Sequence, residues 1–450
     1  MIPPPARTWT PPFVAARSGV VSAAELVSGR NDPLNRMAYY LGLGTVFMQF
    51  TVLPQVTGYI LQANIYLPYL IVLPALMAMI VSGGFRMCYR ARPAYYWTGF
   101  GCWMLVAAPF SIWRSASLMG CFVYWRSSLS MVFIVAAIVH EWIDVKRVMN
   151  VIAISAVVNI LCAHFLRMDS GDRIGVALGS IGNPNDYAGH LLLVLPFLLW
   201  VLLAGKAISR VVALGCLGIG LYLILGTSSR GALVALGVDV VFWIIVGTAR
   251  QKAALVVLGP IAAMILVATV PVQSLRRLAV IWNGSANTAE AAEAAESSAA
   301  RQYTLTTSIR YTFEHPLVGV GPQQFSLYEG GHERTSGTHG YWHEAHNVFT
   351  QVSSECGIPG FLLFVGGIVS TMLLLYKTLR QARSRAGCSD IAVAVSCIML
   401  GMAGFTTAIT FLNFAYFFYL PAMAGLATGV WAAAQREFEL RGDASRAIPA

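Results

Sequence analysis

The chain has 450 residues, 57% of them hydrophobic and only 11% charged, with a formal net charge of +10. Soluble chains carry roughly 25% charged residues, so a soluble fold is excluded and an integral membrane protein is indicated. The positive balance is not a nucleic-acid signal: the basic residues lie in short loops and no basic run alternates with aromatics, so membrane lipids and not nucleic acid are the expected surroundings.

Residues 1–36 are polar, Pro- and Arg-containing, and lack the isolated apolar core of a signal peptide; they read as a cytoplasmic N-terminal tail. Twelve apolar segments follow, at 37–53, 59–82, 95–111, 119–140, 148–166, 186–204, 209–226, 231–247, 253–271, 357–376, 390–411 and 413–433. Each is close to the ~20 residues that span hydrocarbon as a helix. The runs are continuous, not alternating, which points to helices over a barrel. The expected fold is an all-α polytopic membrane protein of about twelve spans. The first and third segments are short enough to be broken or tilted.

Alternate loops hold the basic residues: Arg86, Arg90 and Arg92; Lys146 and Arg147; Lys206 and Arg210; Arg250 and Lys252; then Lys377, Arg380, Arg383 and Arg385. The positive-inside rule makes this side cytoplasmic, together with both termini and the tail at 434–450. On the other side Arg114, Arg167, Arg173 and Arg230 are conspicuous, and Arg126 lies just inside the outer end of the fourth span. The eight cysteines have no CxxC spacing and read as small buried hydrophobes.

The long outer loop, 272–356, opens with VQSLRRLAVIW, an interfacial amphipathic helix carrying Arg276 and Arg277. The Ala/Glu-rich SANTAEAAEAAESSAA follows, a solvated helix or a flap. TTSIRYTFEHPLVGVGPQQF has an ordered pattern with a Pro/Gly turn. A Gly/His/Ser stretch then leads to His343-Glu344-Ala345-His346-Asn347 where water meets lipid.

Ionisable side chains at a membrane boundary are costly without a job or a partner. His346 and Asn347 open the pattern His-Asn, nine residues, Gly357-Ile-Pro-Gly360, so His346 lies near a helix N-terminus. A neutral imidazole there can act as a general base, or it can cap the helix. His339, His343, Glu344 and His346 are near one another, but the spacing is not HExxH and no metal is expected. Arg230, in GTSSRGA between two apolar runs, costs up to ~3 kcal/mol if drawn towards the bilayer centre. An anionic ligand would offset that, as would snorkelling with Ser228 and Ser229 as caps. Arg310 either binds an anion or pairs with Glu314 at i,i+4. Arg173 shares its loop with Asn183, Asn185 and Asp186. Asn-Pro-Asn-Asp reads as a turn and N-cap, and its asparagines could also bond sugar or phosphate. One histidine and three arginines on one side make a base and a pyrophosphate clamp, the toolkit for displacing a lipid pyrophosphate from a sugar. The leaving group supplies the driving force; there is no GxxxxGK[ST] motif and no cofactor is expected.

GNPNDYAG, TSSRGA, SIRYTFEHPLVGVGPQQF and HEAHNVFTQVSSECGIPG, in that order, resemble the O-antigen ligase and polymerase superfamily from about residue 173 onward; the first five spans match in topology only. The resemblance implies a GT-C-like membrane glycosyltransferase of the bacterial inner membrane. Its membrane helices would occupy 37–271 and 357–433, with a periplasmic loop at 272–356 bearing catalytic elements. It implies a glycan donor on undecaprenyl pyrophosphate, lipid A-core as acceptor, and inverting, metal-independent transfer. His346 would deprotonate the acceptor hydroxyl. Arg230 and Arg310 would hold the pyrophosphate, and Arg173 less directly. His343, Asn347 and Asn185 would be further substrate contacts. The alternatives are a polymerase that extends the lipid-linked glycan, a protein O-oligosaccharyltransferase and, outside the superfamily, a secondary transporter. No internal repeat or paired midplane charge supports the last.

Overall fold

The computed structural model describes residues 33–62, 67–81, 84–165, 173–175, 182–270, 272, 274–275, 289–335 and 342–446. Arg276, Arg277, His339, Arg167 and the N-terminal tail up to residue 32 lie outside these, as does most of the expected interfacial helix.

Each predicted apolar segment is mainly helical over its described residues, and no strand occurs among the described residues. The order is α1 (Pro33–Phe50), α2 (Leu53–Leu61), α3 (Leu67–Val81), α4 (Phe85–Cys88), α5 (Arg92–Ala107), α6 (Arg114–Val123), α7 (Ser130–Ile138), α8 (Trp142–Phe165), α9 (Pro184–Ala204), α10 (Ala207–Gly226), α11 (Arg230–Val246), α12 (Ala249–Thr269), α13 (Ala289–Glu314), α14 (Phe325–Thr335), α15 (Val348–Arg383), α16 (Ser389–Ala408) and α17 (Tyr419–Arg446). A π-helical turn, Tyr124–Leu129, joins α6 to α7. Among the described residues, seven helical stretches are long and apolar enough to cross a membrane: 114–138, 142–165, 184–204, 207–226, 249–269, 348–383 and 389–411. The first predicted segment is indeed broken. Its helix stops at Phe50, and the side chain of Asn159 on α8 supplies both missing bonds, donating to the Phe50 carbonyl (2.7 Å) and accepting from the Val52 N–H (2.8 Å). Inside hydrocarbon such groups need a protein partner.

Burial sorts the helices. α9 and α16 pack in the centre, their apolar windows 72% buried, whereas α12 has no buried residue and is apolar all round, the pattern of a helix facing lipid. Of the eight cysteines, six are buried and all are free thiols.

The two ends of the bundle differ chemically. At one end the basic loops meet. Arg441 pairs with Asp390 (2.9 Å), Lys146 approaches the same carboxylate (3.6 Å), Arg147 pairs with Asp144 (3.5 Å), and Arg436 donates to the His140 carbonyl (2.8 Å). At the other end lie the polar helices α13 and α14. The Ala/Glu run and TTSIRYTFE form a single helix, α13, because high-propensity residues continue without a breaker up to Glu314.

The His-Asn-nine-Gly pattern acquires a geometric meaning in α15. Asn347 is its N-cap, with Oδ1 accepting the N–H groups of Phe349 (3.0 Å) and Thr350 (3.2 Å). After about two and a half turns the helix breaks at Gly357, which has φ 69°. The loop 316–325 plugs the break. Val320 N–H donates to Ser354 carbonyl (2.8 Å), Gly321 N–H to Glu355 carbonyl (3.0 Å), and Ile358 N–H to Pro316 carbonyl (2.8 Å). The buried Glu355 carboxylate accepts from the N–H groups of Gln323 and Phe325 (3.1 and 3.0 Å). A Cβ on Gly357 would stand 2.2 Å from the Leu317 carbonyl oxygen, and one on Gly319 would stand 2.3 Å from the Glu355 carbonyl carbon. The two glycines let the loop and the helix touch backbone to backbone, and this contact fixes the first turns of α15 and hence His346.

Candidate functional site

Residues 342–347 form a short loop tied at three points. Glu329 of α14 is fully buried; it accepts the Trp342 N–H (2.7 Å) and the Tyr303 hydroxyl of α13 (2.8 Å). Thr304 of α13 donates its hydroxyl to the Ala345 carbonyl (3.4 Å). Asn413, in the turn between α16 and α17, accepts the His346 N–H at 2.6 Å. Trp342 and His346 both have left-handed backbones, φ 58° and 50°. Non-glycine residues there cost of order 1–3 kcal/mol and persist only where surroundings hold them. Here the holders are side-chain oxygens of Glu329 and Asn413.

His346 is half-buried, and its pKa is pulled down to about 4, first by burial and then by the positive charges of Arg301 and His343. Its imidazole is therefore neutral at physiological pH and able to accept a proton. Arg301 sits on α13 one turn before Thr304, on the face that meets the His346 loop. Burial and the neighbouring Arg230 guanidinium both lower its pKa. Arg230 in turn donates to the Ser298 hydroxyl (3.0 Å), one turn before Arg301 on the same helix. The three groups thus form a chain, Arg230 to Arg301 to His346. Two like-charged guanidiniums side by side favour an anion between them.

A small cleft of about 10 Å³ opens beside this chain, lined by Asn185, Ser229, Gly231, Ala232 and Arg301, with Ala408, Phe411 and Leu412 as its apolar wall. It lies at the N-terminus of α11, where helix polarity adds to the attraction for anions. Ser229 caps that helix, its hydroxyl accepting from Ala232 N–H, and Ser228 turns the chain with φ 53°. Gly231 is needed for contact: a Cβ would stand 2.8 Å from the Phe411 ring. TSSRG is thus a turn, a cap and a close helix approach that together aim Arg230.

Arg173 is a brace. Its Nε donates to the Thr227 carbonyl (2.8 Å) and a terminal nitrogen to Asn185 Oδ1 (2.7 Å). It ties the start of α9 to the TSSRG turn, and leaves Nδ2 as the group Asn185 can offer a ligand. Asn183 accepts from the Asn185 N–H (2.9 Å), the expected N-cap. His343 is exposed beside His346, and the Asn347 oxygen is occupied in capping.

Arg310 is not brought to the cleft. It lies nine residues after Arg301, two and a half turns and about 13 Å along α13, and so on the opposite face. There it pairs with Glu314 (3.9 Å) and stands over the Tyr311 ring at 5.1 Å. Sequence reasoning missed Arg301 and Asn413. Arg301 is the single basic residue where the Ala/Glu run gives way to a mixed pattern, and half-integral turn counting separates it from Arg310. Asn413 is a lone amide between two apolar segments; nothing local tells which residue it meets.

Asn413→Ala removes the acceptor that holds His346. We expect kcat to fall about tenfold with KM little changed, the loss of one hydrogen bond to a strained, partly buried group. Asn413→Asp keeps an acceptor oxygen and adds negative charge, so it should recover part of kcat and move the acid limb of the pH profile upward. An unchanged kcat in the alanine variant would remove Asn413 from the positioning of His346.

Residues 214–365, roughly a third of the chain, match the family model described as O-Antigen ligase. The matched stretch contains Arg230, Arg301, Arg310, His343, His346 and Asn347, and it begins after Arg173 and Asn185. No curated protein matches the chain. Three of the four motifs that carry the resemblance, TSSRGA, SIRYTFEHPLVGVGPQQF and HEAHNVFTQVSSECGIPG, fall within the stretch that the O-antigen ligase model matches, and the apolar helices suit a multi-pass membrane protein.

Proposed function

With an O-antigen ligase region at 214–365 as premise, we propose that this protein transfers O-antigen polysaccharide from undecaprenyl pyrophosphate to lipid A-core, inverting the anomeric centre and using no metal. The bundle makes twelve crossings of the inner membrane. Its basic end is cytoplasmic, and α13, α14 and the His346 loop are periplasmic. The supporting observation is the line of charge from Arg230 through Arg301 to His346.

The acceptor hydroxyl oxygen attacks the anomeric carbon from the face opposite the pyrophosphate. The bond from that carbon to the phosphate oxygen breaks, and its electron pair leaves with undecaprenyl pyrophosphate. The hydroxyl proton passes to His346. Charge on the leaving group grows through the transition state, where Arg230 and Arg301 stabilise it most. In this assignment the second guanidinium of the clamp is Arg301. Arg310 pairs with Glu314 on the other face of α13 and takes no part in the clamp, and Arg173 positions Asn185.

The test is a transfer assay with detergent-solubilised protein, undecaprenyl-pyrophosphate-linked glycan and lipid A-core, with chelator present. A shift of lipid A-core to higher mass on a gel is the expected result. Lengthening of the donor with untouched core would make the protein a polymerase. Transfer abolished by chelator and restored by a divalent cation would overturn the metal-independent mechanism.

A further inference from the structure

Trp342 is 50% exposed although it stands among polar helices. Its N–H is caught by the fully buried Glu329 carboxylate, and its backbone is left-handed. Its ring lies against the backbone of α14 at Gly330, where an added Cβ would come within 2.1–2.5 Å of three ring carbons. The indole is thus packed on one side against Gly330, and the residue is half exposed. Water-exposed aromatic surface held in this way is the kind of surface a ligand covers.

Position decides which ligand. Trp342 is four residues before His346, at most ~14 Å of chain away. In the ligase reading His346 takes the proton of the acceptor hydroxyl, while the donor pyrophosphate is assigned to Arg230 and Arg301. His343 and Glu344, exposed and next along the chain, supply hydrogen-bonding groups to the same short loop. That pairing suits a pyranose, whose C–H face packs on an aromatic ring while its hydroxyls reach the rim. Building on the ligase reading, we propose that Trp342 is the stacking platform for the acceptor sugar and presents its hydroxyl to His346.

Three variants test this: Trp342→Phe keeps an aromatic face, Trp342→Leu keeps apolar bulk without one, and Trp342→Ala removes both. Transfer kinetics are measured with donor and acceptor varied separately. The expected result is a rise in acceptor KM of about five- to tenfold for Leu and Ala, donor KM within about twofold, and Phe close to wild type. Equal behaviour of Leu and wild type would make the ring a lipid-facing anchor, and a rise in donor KM alone would place it under the donor glycan; either overturns the proposal. Should the wild-type protein transfer no glycan to lipid A-core, the ligase reading fails by itself. Equilibrium binding of delipidated core oligosaccharide to wild type and Trp342→Leu then decides the platform, and equal affinity, or no binding to either, overturns it.

Discussion

Replacing His346 by alanine is expected to lower transfer by about 10³-fold, within the range for loss of a positioned general base, while the protein stays inserted and monodisperse. The Asn413 bond is to the main chain and is kept in the alanine variant, so the loop should survive. The pH dependence of the wild type carries the sign. A base held near 4 is neutral above that value, so kcat/KM should be flat through neutrality and fall as the pH drops through about 4. Bound pyrophosphate brings negative charge against Arg301 and offsets one of the cations that depress the imidazole. The acid limb of kcat, which reports the loaded enzyme, should therefore lie above that of kcat/KM. This makes His346 a stronger base when the donor is in place. An alanine variant with undiminished kcat, correctly inserted, would send the search for the base elsewhere.

Arg301→Met should lower kcat by roughly 10²–10³-fold, as expected for one charged donor to a developing anion. Arg310→Met should change it by less than about threefold, because an exposed pair with Glu314 contributes little and Arg310 does not line the cleft. The Arg301 variant has a second signature. Removing the cation beside His346 lifts its pKa towards the ordinary histidine value, so the acid limb of kcat/KM moves upward. A purely structural role for Arg301 would lower activity without moving that limb. Equal losses at both positions would show that α13 turns or shifts when substrate binds.

The chemistry of the site was legible because hydrocarbon is intolerant. In a chain with 11% charged residues, each arginine and histidine away from the basic loops stands out. This drew attention to His346, Arg230 and Arg173 without any structure. The short pattern from His346 to Gly357 also announced a helix of fixed length, since nine residues and a glycine leave few other readings. Less was legible on α13, where a weak amphipathic pattern does not say which face meets the bundle, so the sequence could not bring Arg301 forward beside Arg310.

By itself, the sequence determined that the protein is a helical membrane protein and which loops are basic, and it singled out His346, Arg230, Arg310 and Arg173 as candidates for a base and an anion clamp. Apolar length and charge placement are local properties, and the bilayer converts them directly into topology. Tertiary structure alone decided that Arg173 braces Asn185 and the TSSRG turn, that Arg301 stands between Arg230 and His346, that Asn413 holds the His346 backbone, and that Trp342 is presented on Gly330. Those assignments depend on contacts between residues tens of positions apart and on the rotational setting of α13, and a period of 3.6 residues leaves that setting open until another helix packs against it.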